Sequence, residues 1–265
     1  MIIYGNILFL ILIGTFVGAS AGYLGSFMVL KRMSLVGDAL THVALPGLAI
    51  ALALNYPPML GAFLALLIAV VGVWYLEETS NVYPEALIGV FFTASLALGI
   101  LITPEPELLE ALFGSIEKVG LTEGIVAIII SVITIIITFL ISKRLLTGVI
   151  SKDLLVSAKL PDRLINLIYL LLVGTIVALG VRFVGTLLMG ALVIIPAAAA
   201  KNISSSFRWY SLLSIIFGVI SAALGTTISG LYHLPSGPIV VLSGVLLFAL
   251  TYIIGKFTKL PENVD

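Results

Sequence analysis

Two ionisable side chains, Asp38 and His42, interrupt an apolar part of the chain, in the stretch GDALTHVALPG (37–47). Residues at positions i and i+4 share one face of a helix, with β-carbons ~6 Å apart. A carboxylate and an imidazole together offer the oxygen and nitrogen donors that bind Zn²⁺, Mn²⁺ or Fe²⁺. Two ligands are too few for a closed site, so the pair predicts an open site from which a metal ion can leave, as transport requires.

The donors that complete such a site must come from elsewhere: another helix, a second subunit, water, or the backbone carbonyl that Pro46 frees. Two other roles for the pair stay open from the residues alone. One is a structural Asp–His hydrogen bond, although a carboxylate in the membrane costs ~2.5–3.5 kcal/mol on insertion scales, which favours a functional role. The other is a proton relay, since histidine titrates near neutral pH.

Glu85 and His233 are secondary candidates for contact with a metal ion. Glu85, in YPEALIG, opens an apolar segment, where a carboxylate would also stabilise a helix N-terminus. His233, in LYHLPSGP, lies between two apolar segments. It would be either a ligand at the outer mouth of a pathway or a solvated loop residue.

The composition indicates which class of protein holds these residues. The chain has 265 residues, of which 61% are hydrophobic and only 10% are charged, whereas soluble domains carry roughly 25% charged residues. Apolar runs of membrane-spanning length, ~18 residues or more, recur from end to end. We therefore predict an all-α, polytopic transmembrane helix bundle that forms a single domain over residues 1–265.

Absent residues and motifs exclude several functions. The chain has no cysteine, which excludes disulfides, thiolate metal sites and a cysteine nucleophile. It has no G-x-x-x-x-G-K-[ST] phosphate loop and no H-E-x-x-H motif, and no aromatic and basic pattern indicates nucleic-acid binding. We predict a protein that is not an enzyme, holds no permanent cofactor and binds no nucleic acid.

Nine apolar segments can be drawn, two of which, 38–55 and 184–200, are short enough that eight full spans is an alternative. Glycines at four-residue spacing in the first segment predict close packing against a neighbouring helix, within or between subunits. These glycines are Gly14, Gly18 and Gly22, followed by Gly25. The nine segments are 6–30, 38–55, 58–76, 84–102, 121–142, 164–181, 184–200, 209–230 and 236–256.

Basic residues collect on one side of the membrane under this assignment. Only Lys118 and Arg182 of the thirteen Lys and Arg residues fall on the opposite side. By the positive-inside rule the basic side is cytoplasmic. We therefore predict a protein of the cell membrane with its N-terminus outside the cell and its C-terminus in the cytoplasm.

The longest inner connection is the loop at 143–163, KRLLTGVISKDLLVSAKLPDR. Residues 152–160 can form a short helix with an apolar side, which would either dock in a groove on a soluble partner or lie on the lipid surface. The residues assigned to this contact are Lys152, Asp153, Leu154, Leu155, Ala158 and Lys159.

The chain resembles the permease subunits of ABC importers for zinc and manganese. Four stretches carry the resemblance, in the order that the family has them: FMVLKRMSLVGDALTHVALPGLAIAL (27–52), EALIGVFFTASLALGIL (85–101), VRFVGTLLMGALVIIPAAAA (181–200) and LPSGPIVVL (234–242). One departure is that His233 lies where the family usually has an Asp before P-S-G.

The resemblance implies a homodimer of this chain, two cytoplasmic ATP-binding subunits and an extracytoplasmic metal-binding protein that delivers the ion. It also implies that Asp38 and His42 contribute to metal passage and that the 152–160 stretch is the coupling helix. The cargo would be Zn²⁺, Mn²⁺ or Fe²⁺, with zinc and manganese first; Asp and His suit all three ions.

Two rival functions remain open on the sequence. One is an ABC permease for a chelated cargo such as a siderophore or cobalamin, which needs a wide cavity and no intramembrane ligands. The other is a proton-coupled secondary transporter in which Asp38 and His42 form the relay.

Overall fold

The computed structural model describes residues 2–79, 84–102, 112–114, 119–150, 162–186 and 188–258. Helices form wherever the sequence is apolar, because backbone polar groups in hydrocarbon must bond within their own segment. Within the described residues lie nine helices of 15 residues or more, and each overlaps one of the predicted segments. They are α1 (Ile2–Leu30), α2 (Ser34–Ala53), α3 (Pro58–Thr79), α4 (Pro84–Ile102), α5 (Leu121–Ile150), α6 (Asp162–Val184), α7 (Met189–Ile203), α8 (Phe207–Tyr232) and α9 (Ser236–Thr258).

The all-α prediction is confirmed, and the helices differ in their capacity to cross a membrane. In the described part of the chain, six are long and apolar enough: α1, α3, α5, α6, α8 and α9. Three shorter apolar stretches, Val36–Leu52, Gly89–Ile102 and Met189–Ile203, lie in α2, α4 and α7. The sequence identified the first and last of these as short and did not single out α4.

The outside of the bundle is apolar. Ile68, Phe139 and Phe257 are 69%, 69% and 83% exposed on α3, α5 and α9. Exposing side chains of this size to water would destabilise the folded protein, whereas lipid tails solvate them. The chain is therefore a multi-pass, membrane-embedded protein.

The glycine face of α1 packs against α8 within the same chain. A β-carbon on Gly18 would strike the carbonyl oxygen of Gly218, and one on Gly22 would strike the carbonyl oxygen of Ser214. Gly25 approaches the carbonyl of Val193 on α7 in the same way. The predicted close packing is confirmed, and these glycines pack against helices of the same chain.

Helix α2 lies among five others: α1, α3, α4, α6 and α7. Its tightest crossing is with α3, where a β-carbon on either Gly47 or Gly61 would strike the carbonyl oxygen of the other glycine. A turn at Lys31–Met33, in which Arg32 has a φ of 58°, leads from α1 into α2. We call the end of the bundle that holds this turn the basic end; the start of α8 lies there too, because the rings of Phe27 and Phe207 are 5.3 Å apart.

The backbone of α2 is continuous through its glycines and its proline. Neither Gly37 nor Pro46 breaks the helix, which runs from Ser34 to Ala53 with Pro46 inside it. The backbone turns instead at Lys31–Met33, before the helix begins. Gly37 serves packing, since a β-carbon there would lie 3.0 Å from the Met28 methyl.

The predicted loop at 143–163 is wrong over its first eight residues. Helix α5 continues to Ile150, because residues 143–150 still offer an apolar face: Leu145 is 2% exposed. Helix α6 then begins at Asp162. The proposed coupling residues lie outside the described residues and stay predictions: Lys152, Asp153, Leu154, Leu155, Ala158 and Lys159.

One motif in α1 matches a catalytic pattern by its letters only. GASAG (18–22) fits G-x-S-x-G, but a nucleophile elbow needs a strand-to-helix turn. Here the five residues lie within a helix. Ser20 is fully buried and its hydroxyl donates to the carbonyl of Val17, 2.9 Å away. The motif is therefore part of the α1–α8 packing.

The end of α6 contacts the start of α9. Ser236 donates a hydrogen bond of 2.6 Å to the carbonyl of Phe183, and Gly237 packs against the carbonyl of Val184.

With 15 residues, α7 is about 22 Å long at ~1.5 Å per residue, less than the ~30 Å hydrocarbon core. Its length leaves one end of α7 inside the bundle.

Candidate functional site

Asp38 and His42 lie on one face of α2, one turn apart. The helix is continuous through both residues, so the four-residue spacing places their β-carbons within ~6 Å. Thr41 donates a hydrogen bond of 2.6 Å from its hydroxyl to the carbonyl of Asp38, which reinforces the turn between them. Both side chains therefore belong to one surface of a rigid element.

Asp38 lies against the first turn of α7. A β-carbon built on Gly190 would be 2.8 Å from Oδ1 of Asp38 and 3.0 Å from its Cα. Gly190 is the second residue of α7, so Asp38 lies beside a helix N-terminus, whose dipole favours negative charge. The carboxylate therefore has a favourable electrostatic environment inside an apolar bundle.

His42 is 6% exposed and lies against α4. Its ring is perpendicular to that of Phe92, with centroids 4.9 Å apart and an angle of 88° between the planes. Among the described residues, Nδ1 of His42 has no hydrogen-bond partner. A buried polar atom without a partner is costly, so the imidazole offers a donor that the fold itself leaves unused.

The absence of a bond at Nδ1 also bears on the structural alternative. In the described part of the chain, no hydrogen bond joins Asp38 to Nδ1 of His42. The pair therefore does not hold α2 together through that nitrogen.

Pro46 adds a third polar atom near the pair. Proline has no backbone N–H, so the carbonyl of His42, four residues earlier, lacks its usual helical donor. Helix α4 covers this part of α2, since a β-carbon on Gly99 would lie 2.9 Å from the β-carbon of Leu45 and 3.5 Å from Cδ of Pro46. The carboxylate, the imidazole and this carbonyl follow one another along α2.

The described residues of one chain do not complete a metal site. Over these residues, no group of three or more His, Cys, Asp and Glu is close enough to hold a metal ion. Asp38 and His42 together supply two ligands. Further ligands must come from outside this set, as the sequence predicted.

Each of the two secondary candidates lies at the end of a helix. The backbone of Glu85 is the second residue of α4; its side chain lies outside the described residues. His233 is the exposed C-cap residue of α8, in the left-handed conformation with a φ of 52°. Along the 26 residues of α8 it is about 39 Å from the basic end. Metal-binding roles for both stay predictions.

Sequence reasoning missed Gly190 and Phe92, which touch the pair from other helices. Both lie in stretches that carried the family resemblance, LLMGALV and GVFFTA. Nothing in the spacing of those stretches links them to Asp38 or His42, because the contacts join residues that are 152 (190 − 38) and 50 (92 − 42) positions apart. Only the packing of α4 and α7 on α2 reveals them.

Curated relatives of the chain are named for metal transport. A manganese transport system membrane protein, MntC, of Halalkalibacterium halodurans is 31% identical over 241 residues, covering 89% of this chain and 82% of the relative. A membrane protein of Haemophilus influenzae whose name assigns it to iron transport is 30% identical over 267 residues, covering 98% and 94%. The manganese import system permease protein ScaB of Streptococcus gordonii is 28% identical over 242 residues, covering 90% and 87%.

Solved structures share the fold. PsaBC from Streptococcus pneumoniae, solved in complex with a Fab, superimposes with a TM-score of 0.82 at 27% identity, covering 92% of this chain and 89% of that one. A metal-chelate type ABC transporter in an inward-facing conformation gives a TM-score of 0.74 at 17% identity and shows the fold alone. A family model described as the ABC 3 transport family matches residues 4–255. The chain thus belongs to the ABC 3 transport family and is a membrane permease component of an ABC transporter, not an enzyme.

Proposed function

We propose that this chain is the transmembrane subunit of an ATP-driven importer of a divalent transition-metal ion, which passes by Asp38 and His42. The observation that carries the proposal is the buried Nδ1 of His42, which has no hydrogen-bond partner among the described residues and lies one turn from a carboxylate on the same helix face. A nitrogen donor beside an oxygen donor suits a borderline divalent cation.

Manganese is the first cargo to test. Several relatives carry manganese transport in their names and two carry iron transport, and both ions accept carboxylate and imidazole ligands. Zinc accepts the same donors and stays among the candidates. An incomplete set of ligands keeps binding weak enough for release, which a transport pathway needs.

The assembly that we propose contains two copies of this chain, two cytoplasmic ATP-binding subunits and an extracytoplasmic metal-binding protein. Relatives named as transport systems and as permease proteins support a multi-subunit complex. A second copy would supply a second Asp38 and His42 and would complete the coordination. The stretch at 152–160 would receive the motion of the ATP-binding subunits.

The chain would lie in the plasma membrane with its N-terminus outside and its C-terminus in the cytoplasm. The arrangement of Lys and Arg supports this orientation. ATP binding and hydrolysis would move the two copies between outward-open and inward-open states. No covalent step takes place on the chain itself.

Reconstitution in proteoliposomes tests the proposal. The chain is co-purified with its ATP-binding subunit, supplied with the delivery protein, and assayed for ATP-dependent uptake of Mn²⁺, Zn²⁺ and Fe²⁺. We expect uptake that requires ATP and is lost in the Asp38→Ala, His42→Ala double variant.

Two outcomes would transfer the assignment to the rival functions. Unchanged uptake of a chelated metal by the double variant would indicate an ABC permease for chelates. Metal uptake by the chain alone, driven by a pH gradient without any ATP-binding subunit, would indicate a proton-coupled transporter.

A further inference from the structure

We propose that Gly190 and Phe92 are positioning residues for the Asp38–His42 pair: the bare backbone of α7 holds the carboxylate, and the aromatic ring of α4 holds the imidazole. The inference rests on the proposed function, because positioning has a consequence only where the pair meets a cation. It adds two residues that touch no cation themselves and that set where the two donors point.

Gly190 has no room for a side chain. A β-carbon there would lie 2.8 Å from Oδ1 and 3.0 Å from Cα of Asp38. Oδ1 can move by rotation of the side chain, but Cα belongs to the backbone of α2. An alanine at this position must therefore push α2 and α7 apart as well as turn the carboxylate.

Phe92 takes the place that a hydrogen bond usually has in a histidine site. A histidine that binds metal normally donates its second ring nitrogen to a carboxylate, a carbonyl or water, which fixes the orientation of the ring. With Nδ1 as the nitrogen that meets the cation, the second ring nitrogen of His42 is Nε2, and among the described residues no hydrogen bond holds the ring, which is only 6% exposed. The perpendicular contact with Phe92 is a favourable arrangement for aromatic pairs and supplies the restraint.

The two donors are therefore held by two different helices. Helix α4 packs on α2 and α3, whereas α7 packs on α1, α2, α6, α8 and α9. A movement of α4 relative to α7 would change the separation and direction of the carboxylate and the imidazole. The geometry thus allows cation affinity to follow helix movement without any change within α2.

Four alanine variants test the proposal in the reconstituted complex. Gly190→Ala is paired with Gly89→Ala, since a β-carbon on Gly89 meets no atom within 4 Å. Phe92→Ala is paired with Phe91→Ala. Phe91 is the preceding residue on α4, but its ring packs towards Gly72 of α3. Phe92→Tyr retains the ring and serves as the conservative variant.

Two measurements separate positioning from general damage. The first is the KM and the maximal rate of Mn²⁺ uptake. The second is Co²⁺ binding to the purified complex at equilibrium, followed by the visible absorption of the bound ion. We expect Gly190→Ala and Phe92→Ala to raise KM and the Co²⁺ dissociation constant by about 10-fold or more, as loss of the groups that orient metal ligands typically does.

The control variants and Phe92→Tyr should keep values within about twofold of the unaltered complex, well inside the 10-fold change expected of the two test variants. Thermal unfolding shows which variants fold. If Gly190→Ala does not fold, the comparison of Phe92→Ala with its control decides the case. Equal values for Phe92→Ala and Phe91→Ala, in a complex that transports Mn²⁺, would overturn this inference and leave the proposed function intact. An unaltered complex that neither binds nor transports a divalent ion would overturn the proposed function instead.

Discussion

The imidazole of His42 is perpendicular to the ring of Phe92, with 4.9 Å between the centroids, and this contact ties the centre of α2 to α4. One turn earlier, Asp38 contacts α7 at Gly190. The pair that the sequence places on one helix thus depends on two other helices for its orientation. A site of this kind responds to rearrangement of the bundle even when α2 stays a rigid helix.

Replacing either donor by an amide side chain should abolish most metal uptake. We expect Asp38→Asn and His42→Gln each to reduce Mn²⁺ uptake by at least about 10-fold, since each replaces a carboxylate or imidazole ligand with a weaker amide, and even outer groups of metal sites are worth that much. Uptake by proteoliposomes that contain the whole complex is the measurement. ATP hydrolysis without cargo should change little, because the substitutions leave the shape of α2 intact.

Thr138→Val provides the matched control for those variants. The hydroxyl of Thr138 is buried on α5 and has no hydrogen-bond partner among the described residues. Its isosteric removal should leave uptake unchanged. A loss equal to that of Asp38→Asn would show that polarity inside the bundle in general, and not this pair, supports transport.

Much of the fold could be predicted from the sequence, because hydrocarbon allows few alternatives to a helix. The nine apolar segments and the Gly14, Gly18 and Gly22 face all follow from local pattern. The contacts of Gly190 and Phe92 could not be predicted, since they depend on how distant helices pack. Helix α2 also runs unbroken through Pro46, because a proline removes only one backbone hydrogen bond and five neighbouring helices pack on α2.

Pro46→Ala tests whether the carbonyl of His42 takes part in transport. Alanine restores the backbone N–H that proline lacks, so the carbonyl regains a helical partner. We expect higher thermal stability, by about 1 kcal/mol for the added hydrogen bond, together with slower Mn²⁺ uptake. Uptake equal to that of the unaltered complex would show that this carbonyl contributes nothing to passage of the ion.

The α1–α8 contact should tolerate no added methyl group. In Gly22→Ala the new β-carbon meets the carbonyl oxygen of Ser214, and overpacking of this kind costs about 1–3 kcal/mol. The melting temperature of the purified chain in detergent should fall. Gly89→Ala, which meets no atom within 4 Å, should not lower it, and equal melting temperatures for the two variants would contradict the close crossing.

Tyr169 should link α6 to α1 through a buried hydrogen bond. The side chain is fully buried, and its hydroxyl donates to the carbonyl of Leu24 over 2.9 Å. Tyr169→Phe removes the hydroxyl and keeps the ring, so we expect a loss of about 0.5–1.5 kcal/mol. Thermal unfolding measures it against Tyr252→Phe, a ring that is 59% exposed on α9. A smaller loss for Tyr169→Phe than for this control would count against the bond.

The orientation of the chain can be tested directly, because the protein has no cysteine. Leu234, 45% exposed, lies in the turn after α8, and Lys256 is exposed in the last turn of α9. The positive-inside rule puts the first outside and the second in the cytoplasm. A membrane-impermeant maleimide should therefore label Leu234→Cys in intact cells and label Lys256→Cys only after permeabilisation. The reverse pattern would invert the topology, place Asp38 nearer the outer face, and make the direction of transport that we propose untenable.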